Sequence, residues 1–475
     1  MTEEDQDAGE GTQRKRGKRS RTERDSVASG AGGNRPMVAI VGRPNVGKST
    51  LFNRLAGRRL AIVEDVAGVT RDRHYADATA LGTEYVLIDT GGFDPASEDP
   101  MATSIASQVR LAIEECDVVV CVLDATTDPA IADREAVRLL RAAERPVIFV
   151  ANKADSQKRA HESMSLYELG IDDLLPVSAL HGHGSGELED AIARTLPEPT
   201  GPSTPIGGRD CPRVAIVGRP NAGKSSLVNR LLGEERHLVD DRPGTTVDSV
   251  DSLLERNGGQ LVLIDTAGMR RKRSVRGGVE GLSVIHAIRS MERSHAVVLM
   301  IDAAAGPAEQ DAKIAGLAEE RGRALVIGLN KMDLLSAEER GKATERIRDI
   351  LAFAPWAPIV PVSVTTGRGV GRLMEALDRA VAEHDKRVPT GEMNRFFEEV
   401  LEHHPPPTMH KRSVRLYYVT QAEVRPPTFV VMANNPDDVH WSYQRYVVNQ
   451  IRSRFGFEGT PIRIRYRKKR RREKD

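Results

Sequence analysis

Two lysines of this chain stand in the same setting. Gly42, Arg43, Pro44, Asn45, Val46, Gly47, Lys48, Ser49 and Thr50 form one glycine-rich loop; Gly218, Asn221, Ala222, Gly223, Lys224, Ser225 and Ser226 mark its copy 176 positions later. Glycines let backbone N–H groups close around phosphates at a helix start, where the helix dipole also favours negative charge. Lys48 and Lys224 would reach the β- and γ-phosphates of a nucleotide, and Ser49 and Ser225 would each place a hydroxyl on Mg2+. Thr70 and Thr246 keep the 176-residue register, as do Asp89 and Asp265. The threonines suit a mobile loop that closes on the same ion when a γ-phosphate is present. The aspartates end apolar runs, where they could hold a magnesium-bound water, and Gly92 and Gly268 could offer an N–H to the γ-phosphate.

The base is read by a later motif, Asn152-Lys153-Ala154-Asp155 in the first copy and Asn330-Lys331-Met332-Asp333 in the second. A carboxylate at the last position accepts from both N1–H and the N2 amino group of guanine. Adenine has neither donor in place and would leave the carboxylate buried and unpaired, and sites built on such pairs reject the wrong partner by roughly 10⁴. A lone motif of this kind is often a surface turn, but each copy here follows an apolar strand behind a phosphate loop. Ser178-Ala179 and Ser363-Val364 supply a backbone contact to the guanine oxygen. The ligand expected is GTP rather than ATP.

Many GTPases orient the attacking water with a glutamine after D-x-x-G, but Phe93 and Met269 occupy those positions. The expected intrinsic rate is low, and charge on the transition state must be met by a partner's arginine or a bound cation. Asn45 and Asn221 are placed to hold such an ion beside the phosphates; shaping the loop is the plainer role for both.

The elements that must position these residues follow from the pattern between them. VAIVG, EYVLIDT, DVVVCVLDA and PVIFVANK alternate with amphipathic stretches, and RVAIVG, LVLIDT, AVVLMIDA and ALVIGLNK repeat the series. Continuous apolar runs of that length suit parallel strands covered by helices on both faces. The expected fold is α/β: two tandem P-loop domains with doubly wound, mostly parallel sheets, at 37–197 and 213–387, joined by a Pro- and Gly-rich linker at 198–212. Residues 388–467 read α-β-β-α-β, with helices at 393–403 and 437–455 and strands at 413–423, 428–434 and 461–467, a small α+β domain. Residues 1–36 have almost no large apolar side chains and are expected to be disordered; 468–475 form a basic tail.

The chain carries 69 Lys and Arg against 68 Asp and Glu, but seven of the basic residues fall within 14–24 and nine within 463–474. Setting those two runs aside, with Glu23 and Glu473, leaves 53 basic against 66 acidic residues, an acidic body with basic ends. The C-terminal run, with Tyr466 inside it and Lys411, Arg412, Arg415, Tyr417 and Tyr418 upstream, could neutralise several phosphates of RNA. Cys116, Cys121 and Cys211 have no metal spacing and read as small buried hydrophobes. With no apolar run of membrane-spanning length, the expectation is a soluble, cytoplasmic protein with no membrane partner.

With these residues in place, the chain from about Pro36 to Arg467 resembles the Der (EngA) family of bacterial GTPases, which carry tandem GTPase domains and a C-terminal KH-like domain. NRFFEEVLEHHPPP, PPTFVVMANNP and SYQRYVVNQIRSRFGFEGTPIRIRYR look like that family's C-terminal segments. The resemblance implies a GTPase of ribosome biogenesis, working as a monomer in assembly of the large ribosomal subunit with ribosomal RNA and proteins as partners. It also implies GTP/GDP and Mg2+ as cofactors, and K+ held by Asn45 and Asn221. An RNA-binding assembly scaffold with one structural, non-cycling nucleotide site is the alternative. The family's proline before the switch glycine is kept at Pro243 and replaced by Ala67. Gly456 to Gly459 matches the G-x-x-G string that RNA-clamping KH domains place between two helices, but here it precedes a strand and is read as a turn.

Overall fold

The computed structural model describes residues 35–57, 75–92, 105–155, 163–197, 208, 211–234, 236–239, 251–256, 259–266, 280–407 and 413–468. The basic N-terminal run, nearly all of the linker, Lys411, Arg412 and the tail from residue 469 lie outside them.

The first sheet is built from β1 (Met37–Val41), β2 (Tyr75–Ala80), β3 (Thr83–Asp89), β4 (Val118–Asp124), β5 (Val147–Asn152) and β6 (Leu174–Val177). Its order is β2-β3-β1-β4-β5-β6, parallel except for the β2–β3 hairpin. Helices α1 (Lys48–Ala56), α2 (Ile105–Glu115), α3 (Ile131–Arg141) and α4 (Ser185–Thr195) accompany it. Every residue of β1 and β4 is buried, as expected for strands covered on both faces. Each fully buried aliphatic side chain there is worth about 1.5–3 kcal/mol against exposure.

The second sheet repeats the plan with β7 (Arg213–Val217), β8 (Arg236–Val239), β9 (Ser252–Arg256), β10 (Gly259–Ile264), β11 (Ala296–Asp302), β12 (Ala324–Asn330) and β13 (Ile359–Pro361), in the order β13-β12-β11-β7-β10-β9-β8. Here β9 runs antiparallel to both of its neighbours, β8 and β10, and the pairings from β10 through β7, β11 and β12 to β13 are parallel. Its helices are α5 (Lys224–Glu234), α6 (Glu280–Glu292), α7 (Glu309–Glu320), α8 (Ala337–Ile350) and α9 (Val370–Asp385).

The third sheet orders β14 (Leu416–Glu423), β15 (Thr428–Ala433) and β16 (Arg463–Lys468), antiparallel then parallel, with α10 (Thr390–His403) and α11 (Trp441–Phe455) packed on it. The α-β-β-α-β order is as read from sequence. The last helix starts at Trp441 rather than 437 because Pro436–Asp438 turns as a 3-10 segment and the His440 side chain accepts the Ser442 N–H. Edge-to-face pairs Phe396–Phe455 and Phe429–Phe457, with ring centroids 5.1 and 5.9 Å apart, fill its core. Gly456–Gly459 leads from α11 toward β16, a turn and not an inter-helix clamp. A bulge between Leu416 and Tyr418 turns both Tyr417 and Tyr418 outward, where strict alternation would bury one.

The described residues all belong to one compact unit. One apolar cluster runs through the first and second halves, with Val109 and Ala112 of α2 joined to Val284, Ile285 and Ile288 of α6. Arg35 forks onto Glu292 with two 2.8 Å hydrogen bonds, and Arg321 lies 3.1 Å from the same carboxylate. The third domain is tied to the second by main-chain bonds from Leu325 to Gly459 and from Gly459 to Trp356, both 2.8 Å. All three cysteines are free and buried, and burial pushes the Cys121 thiol up to about 12. Among the described residues, no helix is long and apolar enough to cross a membrane.

Candidate nucleotide-binding sites

At the end of β1 the chain turns through the phosphate loop into α1, so Gly42 to Thr50 leave the sheet at its C-terminal edge, where open α/β sheets collect ligands. Lys48 folds back over this loop and donates to the carbonyls of Gly42 at 2.8 Å and Arg43 at 2.9 Å. Burial lowers its pKa, opposed by Asp89. Asp89 closes β3; its Oδ2 accepts from the Ser49 hydroxyl at 2.9 Å and its Oδ1 from the Gly91 N–H at 3.0 Å. Thr90 pins the turn to β1 by donating to the Ile40 carbonyl at 2.8 Å. Gly92 ends that turn.

Asn152, the last residue of β5, joins the phosphate loop to the base loop. Its Nδ2 donates to the Val46 carbonyl at 2.7 Å, and its Oδ1 accepts the Ala179 N–H at 2.9 Å. Gly47 must be glycine on two counts: φ is +94°, and a Cβ would run into the Asn152 amide. Ser178 donates to Asp155 at 2.6 Å, which fixes that carboxylate beside the loop. Lys153 donates to Asp124 at 2.6 Å; burial opposes ionisation, but Lys153 and Thr126 hold that carboxylate below its usual range. Asn45, Gly47, Lys48, Ser49, Thr50, Asn152, Lys153, Asp155, Ser178 and Ala179 thus surround one cavity of about 530 Å³, within the usual range of small-molecule pockets.

The second site reproduces these links. Lys224 donates to Gly218 and Arg219 carbonyls at 2.7 and 2.6 Å, and Ser225 and Ser226 begin α5 behind it. Asn330 donates to the Ala222 carbonyl at 3.0 Å and accepts the Val364 N–H at 3.0 Å, past Gly223 at φ +100°. Val364 therefore does in the second site what Ala179 does in the first, beside a buried Ser363, while Asp333 stands exposed on the turn after β12. Lys331 donates to Asp302 at 2.5 Å. Asn45 and Asn221 both hold left-handed backbone, at φ 68° and 63°. Thr70, Thr246, Gly268, Phe93 and Met269 lie outside the described residues.

At the aspartate after β10 the second copy gains a partner from another helix. Asp265 sits at φ 61°, and its Oδ2 is 3.0 Å from Nε2 of His286 on α6. The other ring nitrogen, Nδ1, lies 3.6 Å from Glu115, the last residue of α2 in the first half. Burial disfavours charge on His286, but the two carboxylates outweigh it and lift the ring to about 9.

Some site residues went unread in the sequence. Arg54 donates to the carbonyls of Ala179 and Leu180 at 2.5 and 2.7 Å, and Arg230 to those of Val364 and Thr365 at 2.6 and 2.8 Å, fixing each base loop onto its first helix. Their shared 176-residue spacing was the available signal. Arg43, already read as part of its loop, and its copy Arg219 pair with Asp133 of α3 and Asp311 of α7 at 3.2 and 2.9 Å, linking each phosphate loop to that helix.

Both phosphate loops fall within the family described as 50S ribosome-binding GTPase, which matches residues 37–153 and 213–331. Residues 387–467 match the KH-domain-like C-terminal family of EngA bacterial GTPase enzymes, and 283–383 match the elongation factor Tu GTP binding domain. Among curated proteins, the chain is 46% identical over 440 residues to the GTPase Der of Geobacter metallireducens, covering 92% of this chain and 100% of that one. The GTPase Der of Moorella thermoacetica is 46% identical over 441 residues with the same coverage, and that of Syntrophotalea carbinolica 45% identical over 441 residues, again with 92% and 100% covered.

Proposed function

The chain belongs to the Der (EngA) family of GTPases, and from that footing we propose a GTP-hydrolysing switch that acts in assembly of the large ribosomal subunit through two nucleotide sites. The observation that carries this reading is the asparagine bridge built twice: Val46 to Asn152 to Ala179, and Ala222 to Asn330 to Val364. Each bridge makes the phosphate loop and the base loop one rigid piece, so a guanine base and its phosphates are held together or not at all. Asp155 and Asp333 read the base, and Lys48 and Lys224 exchange their loop carbonyls for phosphate oxygens.

Magnesium fits the first site: the Ser49 hydroxyl and the Asp89 carboxylate stand 2.9 Å apart, a hard-oxygen pair of the kind that holds this ion with phosphates and water. When bound, the ion neutralises charge shared by the β- and γ-phosphates. Ser49 and Ser225 would ligate it, Asp89 and Asp265 would orient its water, and Thr70 and Thr246 would close over it in the GTP state. Asn45 forms part of the cavity wall, which supports K+ beside the phosphates of the first site. Asn221 takes the matching backbone pose in the second.

The partner is supported by the ribosome-binding description of the matched family, by the KH-like domain and by the basic run Arg463, Arg465, Arg467 and Lys468 along β16. Co-sedimentation with isolated ribosomal subunits tests partner and switch together. Binding to the large subunit is expected to differ between GDP and a non-hydrolysable GTP analogue; equal or absent binding in both states would remove the assembly role.

A further inference from the structure

In the first half, Asp89 spends its two oxygens on its own site, on the Ser49 hydroxyl and the Gly91 N–H. In the second, Oδ2 of Asp265 faces His286, which lies between it and Glu115 of the other half. The position of that Asp265 oxygen is therefore set in part by the imidazole.

The route back to the first site is continuous. The Thr90–Gly92 turn, anchored by Asp89, packs against α2. Helix α2 ends at Glu115 and packs along α6 through the shared apolar cluster. Arg289 of α6 donates to the Glu115 carbonyl at 3.1 Å, so the end of α2 is held where its side chain meets His286. A helix is stiff along its axis, so a shift of the turn at Asp89 is delivered at Glu115. The residue aligned with His286 in the first half, 178 positions earlier as Asp124 is to Asp302, is Gln108. The relay is therefore not a by-product of the duplication.

We propose that His286 is a positioning residue of the second nucleotide site, restrained by Glu115, so that the nucleotide state of the first site sets how Asp265 is presented to the second. The effect is a coupling between two affinities, and such couplings are reciprocal. The inference rests on the reading of both loops as guanine-nucleotide sites, and its test separates the two claims.

In the full-length protein, Asp155→Asn should convert the first site to xanthine nucleotides, since an amide can donate to the xanthine C2 carbonyl while accepting N1–H. The first site can then be filled with xanthosine diphosphate or a non-hydrolysable xanthosine triphosphate, and GDP affinity at the second measured by fluorescence. The two fillings are expected to change that affinity by at least about fivefold relative to one another. Adding Glu115→Ala or His286→Ala should bring the ratio close to one, and His286→Gln, which still hydrogen-bonds Asp265, should retain part of it. A merely structural role would lower affinity under both fillings and leave the ratio intact. Should His286→Ala fail to fold, Glu115→Ala at the helix end carries the test. No dependence on filling in the Asp155→Asn parent, or an unchanged ratio in Glu115→Ala, would overturn the relay alone. Refusal of xanthosine nucleotides by Asp155→Asn would overturn the site reading, and the relay with it.

Discussion

Asn152 donates to the carbonyl of Val46 at 2.7 Å, across 106 positions of chain, and is itself 2% exposed. The bond ties the loop that meets phosphate to the strand end that meets the base. Asn152→Ala would leave the Val46 carbonyl and the Ala179 N–H buried without their partner, at about 1–3 kcal/mol each. The expected outcome is at least a tenfold loss of guanine-nucleotide affinity at the first site, measured by calorimetry, with the second site unchanged. Asn330→Ala should give the mirror result. Loss at both sites from either variant would mean that the bridges hold the whole protein together rather than each site.

These bridges explain what could be read from the sequence and what could not. Lys48, Asp89, Asn152 and their partners were legible because each acts from a local backbone turn that the neighbouring residues dictate. Arg54 and Arg230 were not, since what they hold lies 125 and 134 positions away and depends on how α1 and α5 meet the base loops. His286 was hidden for a stronger reason: its partners sit in two different halves, and only the packing of α2 on α6 brings them together. Within the third domain the α-β-β-α-β order followed from apolar pattern, but outward Tyr417 and Tyr418 needed the bulge, which no alternation rule contains.

Potassium dependence separates the two roles of Asn45. At φ 68° an ordinary side chain is strained by about 1–2 kcal/mol, so Asn45→Ala would disturb loop and ligand at once. Asn45→Gly keeps the left-handed turn and removes only the amide. Turnover of the native protein is expected to be faster in K+ than in Na+, and Asn45→Gly should narrow that difference in a chain whose second site is silenced by Lys224→Ala. A K+ preference that survives in Asn45→Gly would assign the asparagine to shaping the loop.

The junction between the second and third domains should weaken in acid. Burial lowers His384 to about 3, with Arg323, His295 and Arg425 adding to the effect against Asp385. Burial also lowers His295 to about 4, aided by Arg425, Arg323 and Arg213. A histidine with a depressed native pKa binds fewer protons folded than unfolded, so its contribution is present above the unfolded value of about 6.5 and is lost as pH falls. Glu319, which burial raises to about 7, works the other way over pH 4.5 to 7, because its native form holds the extra proton. His286, raised to about 9, also works the other way, but mostly above pH 6.5. Between pH 7 and pH 5 the two depressed histidines therefore outweigh it together with Glu319, and the urea midpoint is expected to fall. His384→Gln, which can keep the 2.6 Å bond to Thr460, should flatten that slope, and Glu319→Gln should steepen it. An unchanged slope in His384→Gln would mean the ring does not titrate in this window.

Glu292 is the hub of the clamp between the halves. Its carboxylate is 1% exposed, accepts both arms of Arg35 at 2.8 Å and lies 3.1 Å from Arg321, whereas Asp77, which faces the same two arginines, has 42% of its side chain exposed. Removing one partner of a buried pair strands the other charges in low dielectric, at about 3–5 kcal/mol, while a solvent-screened pair is worth about 0–1 kcal/mol. Glu292→Gln should therefore destabilise the protein severalfold more than Asp77→Asn, although both remove one negative charge from the same cluster. Because Arg35 reaches across from the first half, the loss should fall on the docking of the halves. Scanning calorimetry is expected to split a single transition into two in Glu292→Gln and to leave it single in Asp77→Asn. Equal effects of the two substitutions would show that net charge, and not the buried fork on Glu292, holds the halves together.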